Sequence, residues 1–272
     1  MQPEDDQIRA RYQAAVRWAR QAGEHTLKFF QQDSYDVTRK SDGSPVTQAD
    51  QETETLLRDW IRHNFPDDGI LGEEYGEIPG TSSFVWILDP IDGTKSFISG
   101  VPLYGTLVAV QQHQRTVIGV IEIPALNERV YAAKNTGAWH VRGDQEAQPA
   151  HVLSDIALQD GLLLTSAFQG FVDRGAADAW KQLEASSWFA RTWGDCYGYL
   201  LVATGRALAM IDPELNVWDA AAVQVVIEEA GGQFTDWHGN HRVDSGDGIG
   251  ASPEVLKQIL AITQNAPPLD AS

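Results

Sequence analysis

Trp86-Ile87-Leu88-Asp89-Pro90-Ile91-Asp92-Gly93-Thr94-Lys95-Ser96-Phe97-Ile98-Ser99-Gly100 is the stretch that organises this chain. The apolar run from Phe84 to Leu88 predicts a buried strand. It ends in two carboxylates, Asp89 and Asp92, spaced by Pro90 and Ile91. Gly93 follows, where backbone can come close to a ligand. Thr94 stands where a short helix begins, with its first amides unpaired. Acids beside a helix start are an odd pairing, because one part repels anions and the other attracts them. A divalent cation between the aspartates resolves the conflict. The carboxylates then hold the metal, and the metal with the amides of Gly93 and Thr94 holds a phosphate. The plainer alternative is a strand-turn-helix with aspartate as turn former.

Composition narrows the partners. A formal net charge of -18 over 272 residues argues against binding to nucleic acid or an anionic membrane. A phosphate ester would approach so acidic a surface only where metal or amides reverse the local potential. The length suits one large unit, and the single cysteine, Cys196, excludes an internal disulfide framework and fits a reducing compartment. Cys196 itself reads as a small core residue. The start, Met1-Gln2-Pro3-Glu4-Asp5-Asp6, is too acidic for a signal peptide, and no apolar run approaches about 18 residues, so a cytoplasmic, non-membrane protein is expected.

Along the chain, Ile8, Tyr12, Ala15, Ala19, Ala22 and Phe29 predict a helix to about Gln32. After the polar segment Lys40 to Pro45, Thr47 caps a second helix with Asp50 in its first turn, where an acid can equally serve the helix dipole. Ile70 to Glu74 reads as a short strand ending in paired acids. Gly105 to Gln111, Val117 to Ile123 and Arg129 to Ala133 read as antiparallel strands, and Gln145 to Ser154 as a crossing to a second half. There, strands at Leu162–Thr165, Trp188–Thr192 and Ala207–Ile211 alternate with helices at Asp173–Ala185, Gly194–Gly205 and Val217–Ala230. Asp219 lies in the first turn of the last of these, Gly231-Gly232 stops it, and Ser252-Pro253 opens the final helix. The alternation predicts a layered α/β architecture divided into halves 1–145 and 146–272. His238 and His241 share a polar turn and read as solvated. Gly246-x-Gly248-x-Gly250 reads as turn plus strand, lacking the context of a dinucleotide loop.

Asp89-Pro90-Ile91-Asp92-Gly93-Thr94 resembles the D-P-[IL]-D-G-[ST] signature of the inositol-monophosphatase-like, Mg-dependent, lithium-sensitive phosphatases. Trp218-Asp219-Ala220-Ala221-Ala222, Glu229-Ala230-Gly231-Gly232 and Gly72-Glu73-Glu74 resemble further blocks of that family, in family order over nearly the whole chain. The resemblance implies an α+β fold layered as an αβαβα sandwich, a homodimer, and two to three Mg²⁺ ions per site. It implies ligands at Glu73, Asp89, Asp92 and Asp219, joined by Asp50 and the Ile91 carbonyl; all donate oxygen, which suits Mg²⁺ rather than zinc. By the same resemblance Glu73 and Thr94, with Asp50 behind the hydroxyl, would orient an attacking water. The amides of Gly93 and Thr94 would stabilise the phosphoryl oxygens, and Lys40 is a weaker candidate for the phosphate.

The block Trp193-Gly194-Asp195-Cys196-Tyr197-Gly198-Tyr199, with Lys95-Ser96-Phe97, looks like the histidinol-phosphate phosphatases of this family. Inositol phosphatases usually have small residues at that block and a glutamate where Asp212 stands. The added acid favours a cationic alcohol, by about 1–3 kcal/mol for a charge-assisted hydrogen bond. Asp195, Asp212 and Trp193 are therefore the candidate substrate contacts, with helix capping as the alternative role of Asp195. Three readings follow: histidinol-phosphatase; an inositol-, sugar- or nucleotide-phosphate phosphatase; or a non-catalytic metal- or phosphate-binding module. The module should have lost a ligand, yet every expected carboxylate is present.

Overall fold

In the computed structural model, which describes residues 3–32, 37–39 and 45–266, two large sheets and three helical layers alternate, with a separate two-stranded ribbon formed by Val37–Arg39 and Pro45–Thr47. The first part runs α1 (Pro3–Thr26), β1 (Val37–Arg39), β2 (Pro45–Thr47), α2 (Gln48–Asn64), β3 (Gly69–Gly72), β4 (Gly76–Ile78), β5 (Phe84–Asp92), α3 (Thr94–Ile98), β6 (Gly105–Gln112), β7 (Arg115–Ile123), β8 (Glu128–Ala133), β9 (Ala138–Arg142) and β10 (Gln148–Ala150). The second runs β11 (Leu162–Leu164), α4 (Phe168–Asp173), α5 (Ala177–Ser186), β12 (Phe189–Arg191), α6 (Cys196–Ala203), β13 (Ala209–Asp212), α7 (Val217–Glu229), β14 (Gln233–Thr235), β15 (Gly248–Ala251) and α8 (Pro253–Thr263).

The larger sheet has the order β10-β9-β8-β7-β6-β5-β3-β4, antiparallel except where β3 and β5 run parallel. The smaller has the order β12-β11-β13-β15-β14. Side chains alternate across each strand, so β5 sends Trp86 and Leu88 into the core under α1 and α2, and Ile87 into the core beneath α6 and α7. Helices α5 and α8 cover the outer face of the smaller sheet through Trp180, Leu183, Leu256 and Ile259. The layers are thus α, β, α, β, α, as the resemblance implied.

Several elements depart from the sequence expectations for local reasons. Strand β5 does not end at Leu88: it pairs with β6 through Asp89↔Leu107, slips, and resumes at Asp92↔Gly105. Both carboxylates therefore sit on an irregular strand end, where a bulge re-aims side chains. Helix α1 ends at Thr26, short of Gln32. The helix expected over Asp173–Ala185 is α5, which starts only at Ala177 because Gly175, with φ 73°, cannot lie within a helix; the short α4 before it is unexpected. Ser252 stands at the N-cap of α8 without a side-chain capping bond, although Pro253 opens the helix as expected.

Two carboxylates brace the layers. Glu54, fully buried on α2, accepts hydrogen bonds from the amides of Glu74 at 2.8 Å and Tyr75 at 3.2 Å and from Arg58 at 2.7 Å. It thereby fixes the turn that carries Glu73. Glu229, at the end of α7, takes the amides of Asn135, Thr136 and Gly137 at 2.8, 3.0 and 2.8 Å and ties that helix to the β8–β9 turn.

Candidate active site

The β5 bulge and the first turn of α7 meet at one point. Asp89 continues the Ile87 face of β5, which looks towards α7, and Asp219 occupies the third position of that helix. One carboxylate oxygen from each of Asp89, Asp92 and Asp219 lies within 4.8 Å of the others. Each acid is held by a backbone donor: Ile91 N–H to Asp89 Oδ1 at 3.0 Å, Cys196 N–H to Asp92 Oδ2 at 2.5 Å, Asn216 N–H to Asp219 Oδ2 at 2.8 Å. The sequence spacing of Asp219 behind Asn216 forms a capping box, so one carboxylate both caps the helix and faces the cluster.

The electrostatics are unfavourable for bare carboxylates. Burial, then Glu73, Asp92 and Asp219, push Asp89 well above the usual carboxylate range. Burial, then Asp195 and Asp219, do the same to Asp92. Asp219 is pushed up to about 6, chiefly by burial. An oxygen-only set of mutually repelling acids, two of them in hydrogen-bonding contact, fits a hard divalent cation, whose charge reverses the repulsion. Glu73 stands close enough to act on both Asp89 and Asp219.

Asp50 is placed differently from the first three. Its Oδ2 accepts from Thr47 N–H at 2.7 Å and from the Thr47 hydroxyl at 2.6 Å, in a capping box at the start of α2. Strand β2, which carries Thr47, packs beside α3. The Thr94 hydroxyl donates to the Ile91 carbonyl at 3.1 Å, so the two candidate groups of the signature touch each other. Gly93 has φ 81°, and a side chain there would press on the Asp195 carboxylate, 2.7 Å from an added Cβ. Lys40 lies outside the described residues.

The cluster opens into two cavities. One, of about 330 Å³, is lined by Asp92, Asp219, Asp195, Asp212, Tyr199 and Glu214 among others. The other, of about 550 Å³, is lined by Glu73, Gly93, Thr94 and Asp195, with Trp193, Val101 and Leu103 as an apolar side. Trp193 is 42 % exposed there. Asp212 closes the end of β13, 1 % exposed; Ser166 N–H donates to its Oδ1 at 3.1 Å, and the Tyr199 hydroxyl stands beside its carboxylate. Burial and the nearby Asp195 push Asp212 up to about 7.

Asp195 is the most unusual residue. It occupies the N-cap position of α6 with φ 53° and ψ -153°, a region sparsely populated outside glycine, and its side chain makes no capping bond. The capping role considered for it is therefore not the one it plays. Its amide donates to Ser166 Oγ at 3.0 Å, which secures the strained backbone, and its carboxylate faces the cavities. Burial raises its pKa, while Ser166 and Lys95 pull the other way.

Sequence reasoning missed Glu54, Ser166 and the Cys196 amide. Glu54 carried a signal, an acid on the helix face that also presents Leu57 and Ile61. Ser166 carried none, because its role depends on contacts with Asp195 and Asp212 across sequence separations of 29 and 46 residues.

Comparison with known proteins agrees with this architecture. The model of the inositol monophosphatase family matches residues 7–267. A histidinol-phosphatase of Chlorobaculum parvum is 39% identical over 254 residues, 93% of this chain and 96% of that protein. One of Mycobacterium tuberculosis is 34% identical over 82% of this chain and 86% of its own length. The Nus factor SuhB of Escherichia coli is 31% identical over 91% and 93%. Among solved structures, an inositol monophosphatase from Zymomonas mobilis superposes with a TM-score of 0.81 at 29% identity, covering 97% of this chain and 100% of that one. From signature, layering and similarity together, the chain belongs to the inositol monophosphatase family of phosphoric monoester hydrolases.

Proposed function

We propose that this chain is a Mg²⁺-dependent phosphomonoesterase that hydrolyses L-histidinol phosphate to L-histidinol and phosphate, a step of histidine biosynthesis. The observation that carries the substrate is Asp195, a half-buried carboxylate kept in a strained backbone, aimed at a cavity that adjoins the acid cluster. Strain of this kind persists where surrounding structure enforces it, and a site for a substrate ammonium explains why an acid rather than glycine stands there. The similarity to histidinol-phosphatases supports the same reading.

Glu73, Asp89, Asp92 and Asp219, with Asp50 and the Ile91 carbonyl, would hold the cation. Bound there, Mg²⁺ would acidify a water, orient the phosphate and stabilise the leaving oxygen. Glu73, on the turn braced by Glu54, and the Thr94 hydroxyl, with Asp50 behind it, would orient that water and draw off its proton. The amides of Gly93 and Thr94 would donate to the phosphoryl oxygens. Asp195 and Asp212 would receive the ammonium, and the imidazole would lie on the apolar side made by Trp193, Val101 and Leu103. We further propose two to three ions per site, and a cytoplasmic homodimer in which each chain is a single phosphatase unit made of the halves 1–145 and 146–272.

The likeness to inositol monophosphatases supports a second reading, an inositol 1-phosphate or broader sugar-phosphate phosphatase. The test is phosphate release from histidinol phosphate with MgCl₂ and with EDTA. Mg²⁺-dependent release is expected; turnover of inositol 1-phosphate without turnover of histidinol phosphate would transfer the assignment to the second reading.

A further inference from the structure

The two cavities share a wall, and the wall has one positive charge. Glu73, Asp92, Asp173, Asp195, Asp212, Glu214 and Asp219 line one cavity or the other. Among the described residues Lys95 is the basic side chain that lines them, and it lines both. It sits in α3, directly after Gly93 and Thr94, and its charge acts on Asp195. Asp195 is half-buried, whereas Lys95 is exposed and reaches the wall from the solvent side. A flexible ammonium on a long stem can leave such a carboxylate at little cost, since partly exposed ion pairs are weak.

We propose that Lys95 is the internal counter-ion of Asp195 and the selector for amine-bearing substrates. This rests on the reading of Asp195 as the ammonium site. Without substrate, Lys95 balances Asp195. A substrate that brings its own ammonium takes over Asp195 and leaves Lys95 on the Gly93–Thr94 side, next to the phosphate. A neutral polyol phosphate cannot make that exchange, so it must bind against an intact Lys95–Asp195 pair. Lys95 thus acts on selectivity through another residue, as a positioning residue.

Two measurements test this. The first is a substrate-free double-mutant cycle on thermal stability with Lys95→Met, Asp195→Asn and the double variant. Non-additivity is expected, and additivity would overturn the proposal whatever the substrate is. The second is kcat/KM for histidinol phosphate and inositol 1-phosphate. Lys95→Met should lower the histidinol-phosphate to inositol-phosphate ratio by about two- to fivefold, the worth of a partly exposed ion pair, mainly by raising KM for the amine. Lys95→Arg, which keeps the charge, should restore the wild-type ratio. If Lys95 simply gripped the phosphate, Lys95→Met would weaken both esters equally, and that outcome would overturn the selector role. Wild-type enzyme without a preference for the amine, but with coupling intact, would sink the substrate reading and leave the counter-ion in place. The reverse pattern would remove Lys95 and leave the substrate reading standing.

Discussion

The backbone of Asp195 makes a claim that can be measured without any substrate. At φ 53° and ψ -153° a Cβ is strained and glycine is not. Replacing Asp195 by alanine removes the carboxylate but retains the strain; replacing it by glycine removes both. The side chain makes no capping bond, so neither change costs a cap. Both variants keep the amide that donates to Ser166 Oγ at 3.0 Å. The difference between them therefore isolates the strain, about 1–3 kcal/mol, less the 0.5–1 kcal/mol that glycine loses through its freer unfolded chain. Asp195→Gly should be the more stable by about 1 kcal/mol, at the middle of the roughly 0–2.5 kcal/mol that these ranges span, a Tm gap of about 2–4 °C for a domain of this size. Differential scanning calorimetry of the two variants at fixed Mg²⁺ reads the gap. Both should lose preference for an amine-bearing ester to the same extent. An alanine variant as stable as the glycine variant, or more so, would refute the strained backbone and with it the argument that function holds an acid there.

Two further outcomes follow from the same electrostatics. Mg²⁺ at one hundred times its dissociation constant should stabilise the wild type by about 2.7 kcal/mol, seen as a Tm that falls on EDTA addition; in Asp219→Asn, which removes one of the three clustered carboxylates, most of that shift should vanish. A persistent shift in that variant would place the cation elsewhere. Glu122, 3 % exposed and away from the cluster, is pushed up from 4.5 to about 7 by burial, only partly opposed by Arg129. A carboxyl raised in the folded state binds its proton more tightly than in the unfolded chain, so its contribution is favourable below pH 4.5 and is lost as pH rises towards 7. Glu122→Gln should remove a penalty of up to about 3 kcal/mol at pH 8 and leave stability near pH 4 little changed. Equal effects at both pH values would contradict the raised pKa.

The parts of this molecule legible in sequence are those written in short-range pattern. Strand β5 shows itself in an apolar run, and Asp50 and Asp219 stand three residues after the caps that hold them, Thr47 and Asn216. The three acids of the cluster are legible because each stands in a short contiguous block, Asp89 and Asp92 in Asp89-Pro90-Ile91-Asp92-Gly93-Thr94 and Asp219 in Trp218-Asp219-Ala220-Ala221-Ala222. The bulge between Asp89 and Asp92 is not, because it arises from pairing with β6, whose register depends on residues thirteen to eighteen positions away. The late start of α5 had a local trace in Arg174-Gly175, outweighed by the helical spacing that follows. Asp195 was visible as an added acid, but its backbone conformation was not, since nothing in Trp193-Gly194-Asp195-Cys196 encodes a positive φ at a non-glycine residue. Ser166 and Glu54 acquire their roles only when distant segments are packed together.

The central claim is that Asp195 selects a cationic phosphate ester at this site. Its most direct measurement is kcat/KM for histidinol phosphate and inositol 1-phosphate, at one Mg²⁺ concentration, in wild type and Asp195→Asn. The account predicts a strong wild-type preference for histidinol phosphate that collapses in the variant, while turnover of inositol 1-phosphate changes far less. A preference that survives in Asp195→Asn, or is absent in the wild type, would contradict it.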